Sequence, residues 1–89
     1  MAKIHTNDKG FLIIKMSNEE FLSIGGLSRC DGCNTLMEEG YYIAVLNYAY
    51  CKKDFNEWYD RAERYPEDSS YERRNFNRMC QIMNIYSLN

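Results

Sequence analysis

Three cysteines and an aspartate form a spaced pattern that constrains the fold of this 89-residue chain more than any other feature. Cys30 and Cys33 are separated by two residues, Cys51 follows after seventeen more, and Asp54 stands where a fourth cysteine would complete the symmetry. Zinc prefers four ligands in a tetrahedron and accepts both thiolate sulfur and carboxylate oxygen. Cys51 and Asp54 would share one face of a helical first turn. The pattern therefore predicts one zinc site, with Gly32 allowing a tight turn between the first two ligands.

The size and composition of the chain agree with a small domain that needs a metal. Chains of this length bury a modest fraction of their surface, so a metal often supplements the core. Hydrophobic residues make up 45% and aromatic residues 15%, which excludes a disordered chain. The formal charge of -2 lacks the basic excess that general nucleic-acid binding usually requires.

The longest apolar run near the start is FLII, at residues 11–14, which is too short for a signal peptide or a membrane span. We therefore expect a cytoplasmic protein with no membrane partner. In a reducing compartment, paired cysteines indicate metal binding more often than a disulfide. For a secreted chain the alternative would be disulfides, for which four cysteines allow three connectivities.

The first part of the chain, residues 1–27, predicts a β-hairpin followed by a short helix. Residues 3–16 hold two short extended runs around the turn cluster NDKG. Ser17 and Glu20 have the spacing of a capping box, which predicts a helix over about residues 18–24.

The middle part, residues 28–65, contains the metal pattern. The run YYIAVL at residues 41–46 predicts a strand, and residues 48–50 predict the strand that returns after a turn. Beyond Cys51 the period becomes helical, and Tyr65-Pro66 predicts the end of that helix. One helical face would carry Phe55, Trp58, Tyr59 and Ala62.

The last part, residues 69–87, predicts a C-terminal helix. Ser69 and Glu72 have a second capping-box spacing, and the helix is expected from about Ser70 to Tyr86. Its apolar face would carry Phe76, Met79, Cys80 and Met83. The three parts together predict a single α+β domain over residues 1–89, stabilised by zinc.

The pattern C-x2-C-x17-C-x2-D resembles the second zinc module of a LIM domain, whose last ligand is Cys, His or Asp. It is also similar to treble-clef zinc fingers more broadly. The resemblance covers residues 28–65 and implies a treble-clef module made of a knuckle, a β-hairpin and a helix. It further implies one structural zinc ion per chain and a protein-binding role. The ligands would be Cys30, Cys33, Cys51 and Asp54. The first zinc module of a LIM domain is missing, and the N-terminal hairpin and final helix are not LIM features.

The identity of the fourth ligand stays open at this point. Asp54 is also a suitable N-cap for a helix that begins at Phe55, and that role needs no metal. Cys80 lies on an apolar helical face, where core packing is the default for a free cysteine. The lone histidine, His5, and a water molecule are the other candidates.

Enzyme chemistry is not expected. CDGC lacks the βαβ unit of a thioredoxin-like site, and no H-x-E pattern of a zinc deaminase precedes it. Four protein ligands also leave no coordination position for a catalytic water.

Protein binding, as a small adaptor or inhibitor, is the expected function. Eight tyrosines are too many to bury in so small a domain, and exposed tyrosines are enriched at protein interfaces. One alternative is a nucleic-acid-binding regulator that uses Arg73, Arg74 and Arg78, although nearby acidic residues balance that cluster. Another alternative, suggested by size alone, is a phage or mobile-element protein that inhibits a host enzyme.

Overall fold

A computed structural model describes residues 2–26 and 28–85, and in them four strands form one antiparallel sheet in chain order. The strands are β1 (Lys3–Ile4), β2 (Ile13–Ser17), β3 (Glu39–Ile43) and β4 (Tyr48–Tyr50). The helices are α1 (Asn18–Ser23), α2 (Lys52–Arg61) and α3 (Ser69–Met83), with one 3₁₀ turn (Pro66–Asp68) before α3. The predicted α+β composition is therefore confirmed. None of the helices in these ranges has the length and apolar character needed to span a membrane.

The two central strands bury apolar side chains on both of their faces. Ile14 of β2 and Tyr42 of β3 contribute to a cluster on one face, together with side chains of α1 and α3. Their neighbours Ile13 and Ile43 point to the other face and pack in a cluster with α2. The sheet is thus covered by helices on both sides, and the core has two halves.

Strand β3 lies earlier in the chain than the sequence predicts. β3 ends at Ile43, and residues 44–47 form the turn instead of extending the strand to Leu46. Asn47 adopts a left-handed conformation with φ 57°, which asparagine tolerates better than most residues. Its side-chain oxygen accepts a 2.6 Å hydrogen bond from the hydroxyl of Tyr42. The turn therefore places β4 at the outer edge of the sheet, and the residues after β4 begin there.

Helix α1 begins as the sequence predicts. The backbone N–H of Glu20 donates to the hydroxyl of Ser17, and the carboxylate of Glu20 accepts from the N–H of Ser17 at 2.9 Å. The helix ends at Ser23, and Gly25 follows with φ 84°, which suits glycine.

Helix α2 begins earlier than expected. Its first residue is Lys52, its N-cap is Cys51, and the N–H of Phe55 donates to the carbonyl of Cys51 at 2.8 Å. Asp54 is therefore the third residue of the helix and makes no capping hydrogen bond. The N-cap role considered for Asp54 is wrong, because β4 leads into the helix without an intervening loop.

Helix α3 does not use the predicted capping box. The N-cap is Asp68, which is the last residue of the 3₁₀ turn and makes no side-chain capping hydrogen bond. Glu72 is buried, and its carboxylate accepts hydrogen bonds from the N–H of Leu12 at 2.9 Å and from Arg64 at 2.8 Å. The helix ends at Met83, while the predicted end at Tyr86 lies outside the described residues.

Candidate metal centre

The structure brings the four predicted ligand side chains together. One ligand atom from each of them lies within 4.8 Å of all the others. Cys30 is buried, Cys51 and Asp54 are half-buried, and Cys33 is exposed. This group, Cys30, Cys33, Cys51 and Asp54, could hold a metal ion, and it is called the Cys3Asp group below.

A short loop places the first two cysteines. An isolated antiparallel bridge joins Arg29 to Leu36, so the chain reverses between them. Inside the reversal the N–H of Cys30 donates to the carbonyl of Thr35 at 2.9 Å, and the N–H of Asn34 donates to the carbonyl of Cys30 at 2.8 Å. The loop at residues 30–35, called the knuckle below, thus holds both thiols on one side of a tight turn.

Asp31 fastens the knuckle to β4. Its backbone N–H donates to the carbonyl of Ala49 at 2.8 Å, and its carboxylate accepts from the N–H of Ala49 at 2.7 Å. Since Cys51 follows β4 directly, this pair of hydrogen bonds brings the two halves of the Cys3Asp group together. The role of Asp31 was missed, because nothing in its local sequence indicates a partner eighteen residues away.

The start of α2 supplies the other two members of the Cys3Asp group. Cys51 is the N-cap and Asp54 the third helical residue, and side chains three apart on a helix are neighbours. In many helices a hydroxyl and a carboxylate at these two positions cap the backbone. Here the side chain of Cys51 makes no cap, and Asp54 accepts from the thiol of Cys30 at 3.0 Å.

The distances suit a tetrahedral zinc site. With Zn–S bonds of ~2.3 Å, two thiolates of a tetrahedron lie ~3.8 Å apart. The sulfur atoms of Cys33 and Cys51 are 3.8 Å apart. Cys30 Sγ and Asp54 Oδ2 are closer, at 3.0 Å, because the thiol donates a hydrogen bond to the carboxylate. Three sulfur donors and one oxygen donor form a set that zinc accepts.

The side chains of the Cys3Asp group differ in the direction in which their pKa values are shifted. Burial, with a smaller contribution from the hydrogen bond to Asp54, raises the pKa of the Cys30 thiol to about 11. That hydrogen bond also lowers the pKa of Asp54. The hydroxyl of Thr35, 3.0 Å from Cys33 Sγ, lowers the pKa of Cys33 because it can donate to a thiolate. Without a metal, Cys30 therefore keeps its proton and Asp54 is the charged partner.

The rival ligands lie elsewhere among the described residues. Cys80 is buried on α3 in the core, where burial raises the pKa of its thiol. His5 packs edge-on against the rings of Tyr41 and Phe55. Neither belongs to the Cys3Asp group.

Two exposed apolar side chains lie near the knuckle. Leu36, which follows the knuckle, is 62% exposed, and Tyr48, which precedes the Ala49 that pairs with Asp31, is 49% exposed. Tyr65 and Tyr71 are also exposed, whereas Tyr41 is buried in the sheet. The tyrosines therefore divide between core and surface, as their number indicates.

The three arginines of the α3 cluster are all exposed: Arg73, Arg74 and Arg78. Arg78 also donates a 3.1 Å hydrogen bond to the side-chain oxygen of Asn75. Asn75 in turn donates to the carbonyl of Ala44 at 2.9 Å and so ties α3 to the sheet.

A cavity of about 540 Å³ lies beside the knuckle, between the end of α1 and the β3–β4 turn. Its apolar wall includes Phe21, Met37 and Met79. It was not predicted, because its walls come from segments far apart in the sequence.

Comparisons with protein-family models, with curated proteins and with solved structures found no match to this chain.

Proposed function

We propose that this chain binds one structural zinc ion through Cys30, Cys33, Cys51 and Asp54, and that the zinc-stabilised domain is a protein-binding module. The observation that carries the proposal is the convergence of four donor atoms within 4.8 Å from two separate segments. Thiolate and carboxylate are the donors that zinc accepts in tetrahedral sites.

The structural role follows from the number of ligands. A catalytic zinc keeps one coordination position for water or substrate, whereas structural sites use four protein ligands. The Cys3Asp group supplies all four. We therefore propose that the chain is not an enzyme and that its metal stabilises the fold.

The knuckle is the segment that a metal would stabilise most. Residues 31–36 are all exposed, so few apolar contacts hold them. A zinc ion would join this segment to the first turn of α2. Knuckle, β-hairpin and helix are the parts of a treble-clef finger, and their order here supports that assignment.

Protein binding is supported by two exposed apolar side chains near the knuckle. Leu36 and Tyr48 offer a hydrophobic and an aromatic contact beside a metal-stabilised loop. Aromatic side chains are enriched at protein interfaces and often supply much of the binding energy. An adaptor or an inhibitor would use this surface without any chemistry at the metal.

Metal analysis tests the zinc site. Protein expressed with sufficient zinc and examined by native mass spectrometry should carry one zinc ion per chain. A strong chelator should then lower its free energy of unfolding, since metal binding and folding are coupled in small sites. Cys80→Ala is the matched control and should keep the metal. Less than half an equivalent of zinc with the thiols intact would contradict the proposal.

A separate experiment tests the binding role. Zinc-loaded protein is used to capture its partner from its native cells, alongside Tyr48→Ser and the distant control Tyr65→Ser. A protein partner that is retained by the control and lost with Tyr48→Ser supports the module. Salt-dependent nucleic-acid binding that weakens in an Arg73→Ala/Arg74→Ala variant would instead favour a regulator of that class.

A further inference from the structure

The four cysteines differ sharply in access to solvent. Cys33 is exposed and Cys51 is half-buried. Cys30 and Cys80 are 2% and 5% exposed. An oxidant in solution therefore reaches Cys33 first, and the sulfur nearest to Cys33 then decides the product.

Cys51 is placed to react with an oxidised Cys33. Their sulfur atoms are 3.8 Å apart, whereas the S–S bond of a disulfide is ~2.05 Å long. Because the knuckle is exposed, it can move by the distance needed to bring the two sulfur atoms together. Cys30 is a poorer partner. Its sulfur is buried, donates to Asp54 at 3.0 Å and accepts from the N–H of Gly32 at 3.3 Å.

We propose that Cys33 and Cys51 are the redox-sensitive edge of the metal site: a hydroperoxide converts them to an intramolecular disulfide, and the zinc ion is released. This inference rests on the proposed zinc function, since the same two thiolates would be ligands. It adds a covalent modification site and a form of regulation.

The chemistry takes place in two steps. The sulfur of Cys33 attacks one peroxide oxygen, the O–O bond breaks, and Cys33 becomes a sulfenic acid while the other oxygen leaves as hydroxide. The thiolate of Cys51 then attacks the Cys33 sulfur, the S–S bond forms, and the S–O bond breaks to release a second hydroxide. In sum, two thiols and one hydrogen peroxide give a disulfide and two waters, with two electrons passing from sulfur to oxygen.

The disulfide would replace the zinc ion at the same junction. Cys33 belongs to the knuckle and Cys51 to the start of α2, the two segments that the metal joins. Oxidation removes two of the four ligands, and Cys30 with Asp54 alone cannot complete a tetrahedral site. The metal therefore leaves, while the knuckle stays attached to α2 by a covalent bond.

The test treats wild-type protein, zinc-loaded and metal-free, with hydrogen peroxide. Peptide mapping by mass spectrometry identifies the bridge, thiol titration counts free cysteines, and a chromophoric chelator reports released zinc. We expect a Cys33–Cys51 bridge, a fall from four free thiols to two, and one zinc ion released per bridge. A thiol reductant should restore zinc binding. Cys80→Ala should form the same bridge, and Cys33→Ser should form none.

Three results would overturn the inference: a bridge between Cys30 and Cys33, oxidation of Cys33 beyond the sulfenic acid without a bridge, or a bridged protein that keeps its zinc. The metal-free arm separates this inference from the proposed function. A chain that binds no zinc would refute the function, whereas mapping of the metal-free protein still decides which thiols pair.

Discussion

Gly32 and Asp54 are in such close contact that no side chain fits between them. A methyl group at position 32 would lie 2.5 Å from Oδ2 of Asp54 and 3.2 Å from its Cγ. The backbone of Gly32 is not in the left-handed region, which among the described glycines is occupied by Gly10 and Gly25. The lack of a side chain at position 32 therefore matters for space rather than for a special turn conformation, because a Cβ there would displace the carboxylate of Asp54.

Gly32→Ala should weaken zinc binding more than it weakens the fold. The new methyl group would push the Asp54 carboxylate away from the three thiols, and misplacing a ligand typically costs about 10–100-fold in metal affinity. Chelator competition measures the affinity. Gly25→Ala is the matched control: it strains a backbone with φ 84° at the end of α1, so it should cost stability but leave zinc affinity unchanged. Equal affinities for Gly32→Ala and wild type would contradict the assigned contact.

Asp54→Asn should lower zinc affinity by more than ~10-fold, because an amide is a much poorer ligand than a carboxylate. A change in zinc affinity in this variant would report metal ligation alone, since Asp54 makes no capping hydrogen bond that the amide could preserve. Asp54→Cys should retain zinc, because a fourth thiolate suits the ion. Chelator competition and thermal unfolding of the zinc-loaded proteins measure both effects.

The control for that series is Glu57→Gln, which makes the same carboxylate-to-amide change at an exposed position of α2. It should leave zinc affinity unchanged. If Asp54→Asn binds zinc as tightly as Glu57→Gln does, the fourth ligand is not Asp54.

The Cys3Asp group could be predicted from sequence because each half of it is local. Two ligands lie in one turn and two in the first turn of a helix, so spacing alone fixes which atoms face each other. The capping box of Ser17 and Glu20 was predictable for the same reason. The contacts that join the halves were not, because the pairing of Asp31 with Ala49 depends on where β4 lies in the sheet.

Glu72 shows how a local rule fails when tertiary contacts compete. Its spacing from Ser69 fits a capping box, yet its side chain turns inward to the backbone of Leu12, sixty residues away in sequence. The apolar residues of α3 predict which face of the helix is buried. They do not predict that a charged carboxylate, that of Glu72, lies on the same buried face. Arg64, which neutralises it, lies in the segment between α2 and α3.

Metal-free protein should lose stability at high pH through Cys30. Burial raises the pKa of this thiol from 9.0 to about 11, so the folded state holds the proton more tightly than the unfolded chain. The resulting stability is fully present below pH 9 and is lost as the pH rises towards 11. We expect a loss of about 2–3 kcal/mol by urea unfolding, given the free energy that a pKa shift represents.

Cys30→Ala isolates that effect. Buried Tyr42 also has a raised pKa, but it contributes equally to both proteins, so the difference between them reports Cys30. A difference that stays constant from pH 8 to about 11 would show that the thiol is not protected by burial. Zinc-loaded protein should show no such decline, since the bound sulfur is already a thiolate.

Glu72→Ala should destabilise the fold by about 2–3 kcal/mol without changing zinc affinity. The substitution leaves the N–H of half-buried Leu12 without its acceptor and removes the partner of Arg64, and an unsatisfied buried donor costs about 1–3 kcal/mol. Glu72→Gln should cost less, because its amide oxygen can still accept from Leu12. Urea unfolding of the zinc-loaded proteins gives the free energies. Glu67→Ala, at an exposed position before α3, is the control and should stay within about 0.5 kcal/mol of wild type. A Glu72→Ala value in that same narrow range would mean that the buried carboxylate contributes nothing to holding α3 on the sheet.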